Sequence, residues 1–412
     1  MCHRNPGWTS IGDSPSAVLN DGTFLVGNTQ GFGDQVALLD ASTLTWTFGG
    51  GDRDNEQTYT LLQTGDVLTT GVYNPTSMRY NRSVNAFVPD APLPVMLGAT
   101  VSGSGETGPA ITLMDGRVIC FGATGHTCIY SPGGPGTNGT WVQGPDLPLN
   151  ASGVQLVAAD VPAILEPNGS VLLVAATNTE MAFVEYNPDL DLQGIGTFVI
   201  VPGAPNPPEF HSDDYENTKI LLLPSGNGLV SLWSGDWYEV EFSSPDAVHF
   251  PAWRPTITSF PATVIANQTV TLAGLQLCGL SECASYGDDN QQVETYPMVR
   301  FLGSDGGVTY ARAHDVSTRS IAPGEPGVVL VDIPASLLGD PCADISAQLE
   351  GLSPGDFSTG GAYEKARRGL LAELHACLEQ AEQASSTFSV QVVAMGIPSV
   401  PVATVVFAER RA

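Results

Sequence analysis

Five acids stand nine or ten residues ahead of five glycines. Asp13, Glu56, Glu106, Asp160 and Glu216 precede Gly22, Gly65, Gly116, Gly169 and Gly226 by 9, 9, 10, 9 and 10 residues. Carboxylates gathered at one place repel one another unless a cation, water or sugar hydroxyls satisfy them. Hard oxygen donors suit Ca²⁺ or Mg²⁺ better than a soft metal, and they suit hydroxyl-rich ligands equally. The competing role is structural: each acid accepts backbone N–H bonds at a strand start and fastens one repeat to the next, a role compatible with holding an ion. His211, Asp213 and Asp214 lie near Glu216 in the chain and would add to such a site.

Other chemistry-bearing residues are more scattered. His314-Asp315 has the form of a base with an orienting carboxylate, yet no nucleophile is marked beside it, and a structural imidazole is the alternative. Asp288 and Asp289 suit an Asx turn or a surface Ca²⁺ site, and Trp233, Trp237 and Tyr238 suit either sugar stacking or a blade core. Among seven cysteines, three pairs are plausible disulfides: Cys120–Cys128 across a hairpin, Cys278–Cys283, and Cys342–Cys377 around a helical stretch. Spacing does not fix that connectivity, and no CxxC pair suggests zinc. Sequons at Asn81, Asn138, Asn150, Asn168 and Asn267 point the same way as the disulfides, to the secretory pathway or the cell exterior.

The elements that must position the acids follow from the glycines themselves. Each glycine sits between two apolar runs, as in Ala17-Val18-Leu19-Asn20-Asp21-Gly22-Thr23-Phe24-Leu25-Val26 and Ile111-Thr112-Leu113-Met114-Asp115-Gly116-Arg117-Val118-Ile119-Cys120. Asp-Gly, Asn-Gly and Ser-Gly turns of this kind predict hairpins, because glycine accepts the positive φ they need. A third strand is expected in each copy, near residues 36–39, 77–80, 128–130, 182–186 and 237–240. Four copies add a fourth strand carrying Trp46, Phe87, Trp141 or Phe198. Four antiparallel strands recurring every 45–55 residues or so is the pattern of a propeller blade, and a sandwich with similar hairpins is the alternative. In a propeller the first strand of every blade lines a central channel, which would place the five acids at one mouth.

Composition agrees with an all-β chain. It has 46 Gly and 31 Pro among 412 residues and only 14% charged residues. The net charge of −28 disfavours nucleic acid and anionic lipid as partners. No run approaches the roughly 20 apolar residues of a membrane span, and the first ten residues lack the apolar core of a signal peptide.

Beyond residue 252 the repeat stops. Residues 253–412 read as a second β-rich domain after a propeller over 1–252, interrupted near 340–386 by an insert. There Tyr363, Leu370, Leu371, Leu374, Cys377, Leu378 and Ala381 recur at helical spacing and predict one amphipathic helix over 362–384.

Several segments resemble the galactose oxidase-like kelch proteins that end in an early-set immunoglobulin-like domain. They are Gly7-Trp8-Thr9-Ser10-Ile11-Gly12-Asp13, Gly122-Ala123-Thr124-Gly125-His126-Thr127, Tyr296-Pro297-Met298-Val299-Arg300, Tyr310-Ala311-Arg312-Ala313-His314-Asp315 and Gly396-Ile397-Pro398-Ser399. The resemblance implies a kelch-type β-propeller and an immunoglobulin-like β-sandwich with one helical insert. Five blades are recognisable, either a closed ring or a truncated seven-bladed one whose open edge would invite a protein partner. It also implies a copper-radical oxidase of alcohols or aldehydes, with copper held by a Tyr-His pair, a cross-linked Cys-Tyr pair and a final His. His314 matches the final His. Glu216-Asn217 stands where the Tyr-His pair belongs, no cysteine precedes an inner strand, and one imidazole alone does not hold a redox-active copper. The sequence therefore leans away from an enzyme and toward an extracellular binding scaffold that takes a cation such as calcium, or a carbohydrate such as a cell-surface glycan, at the channel mouth. A structural surface protein is a further alternative.

Overall fold

In the computed structural model the described residues are 8, 14–28, 35–51, 57–101, 104–134, 137–189, 194–203, 214–241, 251–285, 294–338, 342–353, 356, 359–381 and 385–407. The repeat appears as antiparallel units built in chain order. The first contains Ser16–Val18, Phe24–Gly27, Gln35–Asp40 and Thr45–Gly50; the third contains Ala110–Thr112, Val118–Phe121, Thr127–Ser131 and Thr140–Gln143. The second begins at Thr60–Leu61, the fourth at Ala163–Leu165 and the fifth at Lys219–Leu222. Trp46, Phe87, Trp141 and Phe198 all fall on the fourth strand of their units. The fifth unit shows three strands among the described residues, ending in Trp237–Val240. A short hairpin, Ala99–Val101 with Ser104–Glu106, precedes the third unit and is not anticipated by the repeat.

The turn geometry explains why the glycines set the frame. Gly22, Gly65, Gly116, Gly169 and Gly226 all adopt φ between +81° and +92°. In each, the glycine N–H donates to the carbonyl three residues back at 2.8–3.0 Å, closing a type I turn with a glycine bulge. A Cβ on Gly22 would meet nothing within 4 Å. Gly22→Ala therefore isolates backbone strain, with an expected loss of about 1–2 kcal/mol in chemical denaturation.

The units pack as propeller blades. First strands lie side by side in the order of the chain, and Thr112 Oγ1 donates to Leu61 O at 2.7 Å while Thr58 Oγ1 donates to Gly108 O at 3.1 Å. Three arginines serve the joints. Arg79, on the third strand of the second unit, binds Asp66 at 2.6 Å and Asp90, and donates to Thr137 O at 3.2 Å in the next unit. Arg117 of the third unit donates to Gly194 O at 2.8 Å in the fourth, and Arg82 reaches back to Asp21 in the first at 3.0 Å.

After residue 253, nine strands form one sheet folded over a core of its own, with Val264, Leu272, Phe301, Val329, Val390 and Val406 among its buried members. Between Ala335–Leu338 and Ser385–Ala394 lie two helices, Ala343–Glu350 and Gly360–Ala381, rather than the single one expected. Tyr363, Leu370, Leu374 and Cys377 form only a half-buried stripe, since the long helix packs on the short one and not in the core. Cys342 and Cys377 are joined, Cα to Cα 5.9 Å, and staple the pair.

The other two cysteine pairs are free thiols, which corrects the sequence expectation. Cys120 and Cys128 do stand opposite each other in register. Directly opposed strand residues hold their Cβ atoms about 4.5–5.5 Å apart, wider than the ~3.8 Å a disulfide favours. Cys278 Sγ donates instead to Thr318 O at 3.2 Å, and Cys283 Sγ to Ser281 O at 4.0 Å. Burial raises all four thiols, Cys128 to about 12 and Cys278 to about 11.

Candidate functional site

The channel between the first strands is filled from the far half of the chain. Ala284–Ser285 pairs antiparallel with the innermost strand Ala163–Leu165 and also contacts those of the third and fifth units. The residues on either side complete the contact. The inner-strand N–H groups of Leu61, Leu165 and Leu222, each four residues before its turn glycine, are all accepted by this segment: by Glu282 Oε2 at 3.0 Å, Cys283 O at 2.7 Å and Glu294 Oε1 at 3.2 Å. Gln63 Nε2 donates to Leu280 O at 3.0 Å, and Glu294 N to Glu282 O at 3.0 Å. Leu280, Cys283, Met395, Ile397 and Trp253 join the main core cluster of the blades. An inner strand has one edge without a strand partner, and this segment supplies acceptors along it.

The plug carries two unusual acids that the sequence reading missed. Glu282 is 4% exposed, and its Oε1 has no partner. Burial raises its pKa to about 8, while the Leu61 N–H lowers it. Glu294 is half-buried as a residue, but its carboxyl is enclosed, and burial raises it to about 7. Their signal in the sequence is a lone acid in a run of small and apolar residues, Cys278-Gly279-Leu280-Ser281-Glu282-Cys283-Ala284-Ser285.

The opposite end of the first strands is the mouth expected to gather carboxylates. Asp13, Glu56, His211 and Asp213 lie outside the described residues, as do Asp288 and Asp289, and of Asp214 only the backbone is described. Glu106, Asp160 and Glu216 are half-buried at strand starts, but in three different settings: a hairpin end, a left-handed residue with φ 45°, and the short helix Asp214–Asn217. Asp160 N donates to Thr107 O at 2.9 Å, which ties the Glu106 and Asp160 segments of neighbouring units together. Among the described residues no group of three or more His, Cys, Asp or Glu is arranged to hold a metal ion.

His314 lies on Val308–His314 of the second sheet, not on the plug. Its Nδ1 pairs with Asp315 Oδ2 at 2.8 Å and its Nε2 with Asp332 Oδ1 at 3.1 Å, and Asp332 is held further by Thr269 at 2.6 Å. These hydrogen bonds, that of Asp315 first, raise the pKa of the imidazole. Both nitrogens are taken, on opposite sides of the ring. With Glu216-Asn217 in a helical turn and four cysteines buried as thiols, the described residues do not fit the copper set that the resemblance implies.

Trp233, Trp237 and Tyr238 are not core residues. Trp233 is 63% and Trp237 66% exposed, on the hairpin whose turn is closed by Leu232 N to Asp236 O at 3.0 Å. Ser234 with Asp236 and Asn227 with Glu239 set hydrogen-bonding groups on the same hairpin, at 2.9 and 2.8 Å. A separate cleft of about 630 Å³ lies between Asp21, Asp40, Thr47 and Arg82 on one side and Asp315 and Arg319 on the other. Its acids are largely committed, Asp40 to the turn at Ser42 and Thr43 and Asp21 to Arg82.

No family model and no curated protein matches the sequence. Solved structures align at low identity. A streptogramin B lyase is 12% identical over 80% of this chain and 96% of its own, with a TM-score of 0.36. A putative gluconolactonase is 10% identical over 80% and 91%, with a TM-score of 0.37. The β-propeller domain of Cps50 from Myceliophteria thermophila is 10% identical over 79% and 98%, with a TM-score of 0.36. At these values the likenesses assign neither a family nor an activity, and the blade arrangement rests on the strand pairing described above.

Proposed function

We propose that this chain is a non-catalytic, extracellular carbohydrate-binding scaffold, of galactose oxidase-like kelch architecture with an early-set immunoglobulin-like domain. The observation that carries the reading is the exposed pair Trp233 and Trp237 beside Asp236, Glu239 and Asn227. Flat aromatic faces take the apolar faces of sugar rings, and neighbouring carboxylate and amide groups take the hydroxyls. Exposing two tryptophans on one hairpin is informative because large apolar residues gain most from burial. The Cys342–Cys377 bond supports an oxidising compartment. A second reading, a cation such as calcium at the channel mouth, is favoured by the strained left-handed backbone of Asp160 next to Glu106.

Elemental analysis of the purified protein after dialysis against metal-free buffer separates scaffold from oxidase. The expected result is no redox metal, with any calcium lost on Glu106→Gln or Asp160→Asn. Near-stoichiometric copper would overturn the non-catalytic reading.

A further inference from the structure

Two of the three groups that meet the inner strands four residues before their turn glycines are side-chain carboxyls. An attachment through backbone carbonyls alone would be indifferent to pH. We propose that Glu282 and Glu294 form a proton-operated latch, which holds the plug in the channel while both carry a proton and loosens it when both are ionised.

The argument rests on the surroundings of the two acids. Each carboxyl accepts one backbone N–H, and neither has a basic side chain as partner among the described residues. On the plug itself, the Cys283 thiol senses both carboxyls and is raised by them in addition to burial. Lys219, on the inner strand of the fifth unit, gives its Nζ to Glu216 O at 3.1 Å, at the end of that strand away from Leu222. Glu166, which follows Ala163–Leu165, is itself buried, raised to about 8 mainly by burial and next by Glu185, and is bonded to Asn168. The inner strands Thr60–Leu61 and Ala110–Thr112 carry no ionisable side chain. One N–H bond does not offset burying a full negative charge, least of all on Glu282, whose second oxygen is bare.

The sign follows. Both folded-state values, about 8 and about 7, lie above the ordinary 4.5. The seated plug therefore holds protons that an opened plug has lost, and its stability is greatest below the ordinary carboxylate range and falls as pH rises through 7 and 8. Release of the two protons to solvent is the only chemical change required.

Hydrogen–deuterium exchange on the full-length protein, corrected for the pH dependence of intrinsic exchange, reads the latch directly. Between pH 6 and 9, protection of peptides spanning residues 276–285 is expected to fall on the order of a thousandfold, about a hundredfold through Glu282 and about tenfold through Glu294, while the hairpin 118–131 keeps its protection. In Glu282→Gln/Glu294→Gln the fall is expected to shrink to less than threefold. Wild-type protection that stays flat with pH, or an undiminished fall in the double variant, overturns the proposal. Should the double variant not fold, infrared spectroscopy of Glu166→Gln decides, because Glu166 titrates in the same range. Protonated carboxyl absorption that persists in this variant at pH 6 and is lost by pH 9 supports the latch, and its absence at pH 6 overturns it.

Discussion

Asp90→Ala is expected to destabilise the protein by about 3–5 kcal/mol, read from urea denaturation. The Asp90 side chain is fully buried and collects four donors: Arg79 Nε, Tyr130 OH at 2.6 Å, Gly139 N at 2.9 Å and Ala91 N at 2.7 Å. These donors come from the second and third units, so the carboxylate is a knot between blades. Removing it takes the acceptor from Arg79 Nε on a guanidinium only 10% exposed, which keeps Asp66 and Thr137 O, and from a phenol packed against Trp141 with ring centres 4.8 Å apart. Asp90→Asn keeps an acceptor and loses the charge, so a smaller loss of about 1–3 kcal/mol is expected. A cost below 1 kcal/mol for the alanine variant would show that the blades are joined by apolar contact alone.

Leu280→Ala is expected to cost about 2–5 kcal/mol, and to do so in one transition. Leu280 comes from the second half of the chain, yet it is packed in the main core of the blades, and its N–H meets Met395 Sδ at 2.9 Å. A cavity there removes support from the plug and from the blades at once. Denaturation followed by tryptophan fluorescence and by far-ultraviolet circular dichroism should give coincident, shifted curves. Two separated transitions would mean that the halves fold independently and that the plug contributes little.

What the sequence made legible was whatever repeats locally. The turn glycines demand positive φ five times over, and they located hairpins, third strands and fourth-strand aromatics. The plug was not legible, because Glu282 meets Leu61 across 221 positions and no periodicity announces such a bond. The helical insert was half legible: its spacing marked the long helix, while Ala343–Glu350 lacked a pattern of its own. Disulfides split the same way, with Cys342–Cys377 formed and Cys120–Cys128 opposed in register but unjoined, a distinction that spacing does not carry. The expected carboxylate ring rested on spacing alone: Asp13 and Glu56 lie outside the described residues, and a spacing of 9 or 10 placed Glu106, Asp160 and Glu216 in unlike backbones. Trp233 and Trp237 suited either sugar stacking or a blade core in the sequence, since aromatics in a blade are commonly core, and the structure leaves them open to solvent.

The most direct test of the binding reading is a glycan array followed by calorimetric titration of the strongest oligosaccharide into wild type, Trp237→Ala, Trp233→Ala and Asp160→Asn. The account predicts saturable binding that weakens at least about tenfold, or 1.4 kcal/mol, in each tryptophan variant and is unchanged in Asp160→Asn. Binding of no glycan on the array, or binding indifferent to both tryptophans, would contradict it.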